Sequence, residues 1–229
     1  VLHHKRRNAY APTWGVIFDM DGVLIDSYRA HFLAWRQMLR SHDLDISERQ
    51  FAATFGQTNP DIFAQLYPSL NPEDYPILAE EKEAAFRGII ALDFPEMDGA
   101  VELIAALHEA GAALAIGSSG PPENVQAVLN MLPGGGHFMA TTNGNELTHG
   151  KPDPEVFIKT VHKLGLPPER CVVVEDAPAG VMAGKAAGCP VIALTGTAPR
   201  DHLDLADLVV DSLRELTPEA FRGLIRTAR

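Results

Sequence analysis

An α/β fold is predicted: a parallel sheet covered by helices on both faces, with an all-helical insertion after the first strand. Three observations carry this. Short apolar, β-branched runs recur along the chain, helix-period segments separate most of them, and one long interval contains helical patterns alone. The composition agrees with such a fold, since 46% of the 229 residues are apolar and 21% charged, enough to bury a real core. That length fits one large domain, or one domain carrying a substantial insertion.

The predicted strands, in order, are residues 14–18, 112–116, 138–141, 171–174, 190–194 and 208–210, each apolar and bounded by turn residues. Between them lie helical patterns, such as Leu103, Ala106, Leu107 and Ala110 at i, i+3, i+4 and i+7. Phe157, Val161 and Leu164 mark another, opened by Pro-Asp-Pro-Glu. Alternation of this kind means a Rossmann-like parallel sheet with both faces buried. From about residue 28 to 92 no strand is evident, only helical patterns broken at Asn59-Pro60, Tyr67-Pro68, Asn71-Pro72 and Tyr75-Pro76. The expected organisation is a core of residues 1–27 and 93–229 and a helical cap of residues 28–92, placed to act as a lid beside the strand ends. Gly134 to Gly136 reads as a surface turn, and there is no internal repeat.

Charge narrows the function. Nineteen basic against thirty acidic side chains leave a net charge of −11. Such a surface repels a phosphodiester backbone and an anionic membrane, so neither nucleic acid nor membrane is expected as a partner. The apolar stretch 100–117 is broken by Glu102, His108 and Glu109 and cannot serve as a membrane span. The start VLHHKRRNAY is basic, but the apolar run after it is too short for a signal-peptide core, and it is read as a disordered leader. Cys171 and Cys189 alone make no disulfide framework, and buried free thiols in a reducing cytoplasm are expected.

Four segments can carry chemistry. After the first strand, Asp19-Met20-Asp21-Gly22 sets two carboxylates at the carboxyl end of a buried strand, the edge at which open α/β sheets bind ligands. Two close acids repel unless a cation or proton lies between them, which suggests a hard divalent metal and one carboxylate free for nucleophilic attack. A solvated turn is the plain alternative for that segment alone. After the second core strand, Gly117-Ser118-Ser119-Gly120-Pro121 offers hydroxyls and backbone N–H groups at a helix entrance, suited to phosphate or simply to capping. Lys151 is held just ahead of a helix by Pro152 and Pro154, where it could neutralise a carboxylate and a phosphate oxygen. Glu175-Asp176 again places paired acids at the end of an apolar strand.

Taken together and in this order, these motifs resemble the haloacid dehalogenase superfamily of phosphohydrolases, with matching segments spread over residues 18–188. The helical insertion directly after the first motif is similar to the cap of the subgroup that holds β-phosphoglucomutase and many sugar-phosphate phosphatases. So are Asp26-Ser27 followed by His31-Phe32-Leu33-Ala34-Trp35, and the run from Glu175 to Val181. The resemblance implies that Asp19 attacks phosphorus to form an aspartyl-phosphate and that Asp21 serves as general acid and then base. It implies that Ser118, with Ser119 beside it, and Lys151 hold the phosphoryl oxygens. It also implies Mg2+ bound by Asp19, the Asp21 carbonyl and Asp176, with Glu175 nearby. A cation between an anionic nucleophile and an anionic phosphate is what the electrostatics require.

Other readings fit less well. No G-x-G-x-x-G follows the first strand; Gly144 to Lys151 has the wrong spacing for a P-loop; G-x-S-x-G and H-E-x-x-H are absent. Dehalogenation fits the second aspartate and its glycine less well than phosphoryl chemistry does. A mutase resembling β-phosphoglucomutase would need cap cations near Thr54-Phe55-Gly56-Gln57-Thr58-Asn59, where Phe55 and Asn59 stand instead. The preferred reading is therefore hydrolysis of a small phosphomonoester, a sugar phosphate above all, with the mutase and a silent phospho-ligand binding module as alternatives. His31, Gln57 and Asn59 are candidate cap contacts, Trp35 is read as cap core, and Lys82, the only lysine between residues 28 and 92, is read as a surface residue. An acidic chain with its own lid is expected to work in the cytoplasm as a monomer or weak homodimer.

Overall fold

Runs of Val, Ile, Ala and Leu with no polar interruption can be satisfied only where both faces of a strand are covered, and this is where they lie. The structure, a computed structural model, describes residues 12–54 and 57–225; the expected leader and Phe55-Gly56 fall outside these. The chain runs β1 (Gly15–Phe18), α1 (Tyr28–Ser41), α2 (Glu48–Thr54), α3 (Asn59–Leu66), α4 (Tyr75–Leu92), α5 (Ala100–Glu109) and β2 (Ala113–Gly117). It continues through α6 (Pro122–Met131), β3 (Phe138–Thr142), α7 (Glu155–Leu164), β4 (Cys171–Glu175), α8 (Pro178–Ala186), β5 (Val191–Leu194), β6 (Leu208–Val210) and α9 (Pro218–Leu224).

The six strands form one parallel sheet in the order β3-β2-β1-β4-β5-β6. Chain order reverses at β1, so the crevice at its carboxyl end is the expected ligand site of such a sheet. Alternate residues sort onto opposite faces. Val16, Phe18, Leu114, Ile116, Val172, Val174, Ile192 and Leu194 enter one apolar cluster, while Ile17, Ala115, Cys171, Val173, Val191 and Ala193 enter the other. Both cysteines are buried and free, as anticipated. Among the described residues no helix is long and apolar enough to cross a membrane. The turn at Gly134 to Gly136 is not wholly a surface feature: Gly135 is buried, and a Cβ there would lie 2.1 Å from the Leu129 carbonyl oxygen.

The helical insertion carries a third apolar cluster of its own, centred on Trp35, Phe51, Phe63 and Tyr67. Trp35 packs edge-on against Phe63, which accords with its reading as a core residue of the cap. The bases of α1 and α4 differ in that Ala30, Ala34, Phe86 and Ile90 join the first cluster of the sheet. The strands of chain entering and leaving the insertion are tied together. Asp26 N–H donates to the Pro95 carbonyl at 2.8 Å and Met97 N–H to the Leu24 carbonyl at 3.0 Å, around an antiparallel bridge between Ile25 and Glu96. The insertion therefore stands directly above the end of β1.

Phe63 is fully buried within the separate cluster. Phe63→Ala is expected to destabilise the insertion by about 3–5 kcal/mol. Denaturant unfolding followed by Trp35 fluorescence, in a Trp14→Phe background, checks this.

Candidate active site

Asp19 follows β1 directly and extends its pairing, donating its backbone N–H to the Val174 carbonyl at 2.9 Å. Its carboxylate thus emerges at the strand end while only 8% exposed. The next residues turn back beneath it: Leu24 N–H reaches the Met20 carbonyl and Gly22 N–H the Ile25 carbonyl, and Val23, Leu24 and Ile25 bury themselves in the sheet's core. Gly22 has φ +75°, and a Cβ there would lie 1.9 Å from Asp176 Oδ2. Only glycine allows the first acidic turn to meet the second at this distance.

Lys151 joins the two acidic strand ends. Its Nζ lies 2.8 Å from Asp19 Oδ1 and 2.5 Å from Glu175 Oε1, and 5.2 Å above the Phe157 ring. The other Glu175 oxygen accepts the N–H groups of Asp176 at 2.8 Å and Ala177 at 3.0 Å. Gly180 leaves room for this carboxylate, since a Cβ there would sit 1.7 Å from Glu175 Oε1. Carboxylate oxygens of Asp19, Glu175 and Asp176 all lie within 4.8 Å of one another. Ser118 is buried at the end of neighbouring β2, its N–H on the Thr142 carbonyl and its hydroxyl accepting from Gly120 N–H at 3.0 Å. Ser119 is exposed on the same turn.

Three buried carboxylates facing one ammonium leave the cluster short of positive charge. Burial, with the neighbouring Glu175 and Asp21 charges, pushes Asp19 up to about 7 although Lys151 opposes it. Asp176 is raised well above the carboxylate range by burial and by Glu175 and Asp19, with the Thr197 hydroxyl and Lys151 opposing. Lys151 is raised because Asp19 and Glu175 outweigh its own burial. An all-oxygen, anionic donor set of this kind suits a hard divalent cation.

Asp21 behaves differently. Burial would raise it, but His31 and Lys82 outweigh this and hold it below the usual carboxylate range. His31, on α1, sets Nε2 3.1 Å from Asp21 Oδ1 and stacks on Phe86 at 4.0 Å. Lys82 Nζ lies 2.9 Å from His31 Nδ1. An ammonium can only donate, so Nδ1 accepts and the ring proton sits on Nε2, directed at Asp21.

Lys82 corrects the expectation of a surface lysine: it is 3% exposed, lies over Trp35 and Phe86, and pairs with Glu83 Oε1 at 2.8 Å. Asn59 also donates its amide to Glu83 Oε1, at 2.8 Å, and Gln57 is exposed just before α3. The structure thus gathers Asp19, Asp21, Lys151, Glu175, Asp176 and His31 at the strand ends and ties Asn59 into the buried group behind His31. Lys82, Glu83 and Thr197 had no motif to announce them, because their roles come from packing between distant segments.

Comparison with known proteins gives a consistent result. The family described as haloacid dehalogenase-like hydrolase matches residues 15–188. Hexitol phosphatase A of Escherichia coli (strain K12) is 36% identical over 219 residues, 89% of this chain and 93% of that protein. Fructose-1-phosphate phosphatase of the same organism is 32% identical over 180 residues, 78% of this chain and 94% of that protein. The crystal structure of β-phosphoglucomutase from Clostridium difficile is similar in fold, with a TM-score of 0.80 at 23% identity over 93% of this chain and 97% of that one.

The raised Asp19 pKa fixes the sign of a stability effect. Its ionised form is penalised in the folded state, with no penalty below about pH 4 and the full penalty above about pH 7. Asp19→Asn is expected to raise the thermal midpoint of the metal-free protein, by more at about pH 8 than at about pH 5. Melting curves in excess chelator at the two pH values check it.

Proposed function

We propose, because this chain belongs to the haloacid dehalogenase-like hydrolase family, that it is a phosphatase of small phosphomonoesters, sugar phosphates above all, working through a covalent phosphoryl group on Asp19. The observation that carries this reading is the Lys151 ammonium held between Asp19 and Glu175, with Asp176 in the same cluster. A site in which Asp19 and Asp176 are forced towards neutrality gains from a ligand that brings a cation with it. The buried oxygen donors of Asp19 and Asp176, with the Asp21 carbonyl, fit Mg2+, while Glu175 is engaged with Lys151 and two backbone N–H groups and supports the cluster from behind. Bound there, Mg2+ would supply the positive charge that lets an anionic nucleophile approach an anionic phosphate.

The protein's own groups then act as follows. Lys151, Ser118 and the N–H groups of its turn orient the phosphoryl oxygens. An Asp19 oxygen attacks phosphorus in line with the ester oxygen, and the P–O bond to the leaving group breaks. The arriving phosphate dianion raises the proton affinity of Asp21 against the pull of His31, so Asp21 takes up a proton from solvent as substrate binds and gives it to the departing alkoxide. Asp21 then takes a proton from water as that water attacks the phosphorus of the aspartyl-phosphate, releasing inorganic phosphate and restoring Asp19. The insertion above β1 keeps bulk water from the site during the first step.

The relatives named as hexitol and fructose-1-phosphate phosphatases support a phosphorylated sugar or sugar alcohol as substrate. Hydrolysis is favoured over mutase chemistry because the cations on α4 are already engaged, buried Lys82 with His31 and Glu83 and half-buried Arg87 with Glu80 and Asn124. A mutase would need free cap cations for a second phosphate.

Mg2+-dependent phosphate release from a panel of hexitol phosphates, fructose 1-phosphate, β-glucose 1-phosphate and glucose 1,6-bisphosphate tests the proposal. Free phosphate is expected, with a loss of about a thousandfold or more in Asp19→Asn. Glucose 6-phosphate formed from β-glucose 1-phosphate without free phosphate would overturn hydrolysis in favour of the mutase.

A further inference from the structure

Helix α6 begins just after the turn that holds Ser118, and its first turn carries Asn124, whose side chain is 1% exposed. Asparagine is weakly suited to a helix interior because its amide competes with the backbone for hydrogen bonds. Here the amide leaves the helix and reaches α4 of the insertion. Its Nδ2 donates to Glu83 Oε2 at 2.7 Å, and its Oδ1 accepts from Arg87 Nη1 at 3.0 Å. Glu83 and Arg87 stand four residues apart, one turn of the same helix face, so one side chain of the sheet domain grips α4 at two points. Arg87 is steadied by Glu80 at 2.6 Å.

The grip continues inward. The second Glu83 oxygen accepts from Lys82 at 2.8 Å, Lys82 reaches His31 at 2.9 Å, and His31 reaches Asp21 at 3.1 Å. An unbroken polar path therefore links α6, beside the phosphate-side turn, with the acid of the proposed reaction.

We infer that Asn124 is a positioning residue: it is the catch by which the sheet domain seats α4 over the strand ends and, through Glu83 and Lys82, holds His31 against Asp21. The inference rests on the phosphatase reading. A polar catch suits a lid that must release product, because each partner returns to water when the contact parts, whereas an apolar seam would expose its surface. The apolar bases of α1 and α4 keep the fold when the catch is removed.

The test compares two esters at saturating Mg2+: the sugar phosphate that the protein hydrolyses best, and p-nitrophenyl phosphate, whose phenolate departs without needing a proton. Asn124→Ala is expected to lower kcat on the sugar phosphate about tenfold or more, the weight of a charge-assisted hydrogen bond, and to affect the aryl ester much less. Asn124→Asp sets a carboxylate opposite Glu83 and should do worse. The paired Asn124→Asp/Glu83→Gln variant exchanges donor and acceptor across the same contact, leaves Arg87 its acceptor, and should recover most of the loss. Hydrogen exchange at α4 amides, faster in Asn124→Ala and restored in the paired variant, reads the catch without any turnover. Equal losses on both esters, or no recovery in the paired variant, would overturn the inference. A wild-type protein that hydrolyses neither ester would refute the phosphatase reading, and unchanged α4 exchange in Asn124→Ala would then refute the catch on its own.

Discussion

Three carboxylates converging on one ammonium is the constraint around which this site is built. Asp19, Glu175 and Asp176 arrive from the ends of two adjacent strands, and Lys151 alone among the described residues answers them directly with positive charge. The arrangement is costly without a further cation, as the raised Asp19 and Asp176 show. It persists because the sheet over-determines it: Asp19 is locked to Val174 by its backbone, and Glu175 by three hydrogen bonds. Two positions without side chains, Gly22 and Gly180, leave space for the carboxylates. Electrostatic tension here is stored in the ground state, where a divalent cation and a phosphoryl group can relieve it.

The insertion reaches the site itself through polar side chains, joins the sheet's core through the apolar bases of α1 and α4, and keeps a further apolar centre of its own. That centre matters, because an element that carries its own core keeps its shape whether or not it is seated on the sheet. What it brings to the strand ends is a proton-bearing imidazole nitrogen, fixed by Lys82 from one side and by the Phe86 ring beneath. Two neighbouring aspartates thereby sit in opposed fields. Asp19 is pressed towards neutrality by other carboxylates, and Asp21 is held ionised by the insertion. These fields of the unliganded site are the reverse of what a nucleophile and an acid need, so the proposed roles require a bound cation to ionise Asp19 and a bound phosphate to raise the proton affinity of Asp21.

The sheet was legible because buried parallel strands must be apolar throughout, and each predicted run lies within a residue of an observed strand. The four chemical segments were legible because strand ends in such sheets are where ligands bind, and their order carried the family resemblance. Legibility ended where contacts cross between distant segments. Lys82 looked like a surface charge since nothing local announces that Trp35, Phe86, His31 and Glu83 enclose it. Asn59 is a candidate cap contact by sequence, but nothing local announces that its amide is directed at Glu83, a partner 24 residues away. Thr197 and Asn124 act through positions that only the tertiary fold creates.

The most direct test of this account is the chemical identity of the intermediate. Acid-quenching the protein during turnover of its best phosphoester, followed by peptide mass mapping, should find one phosphoryl group on the peptide containing Asp19, and none in Asp19→Asn. Phosphate release with the phosphoryl group on Ser118 or Ser119 would contradict the role assigned to the carboxylate cluster.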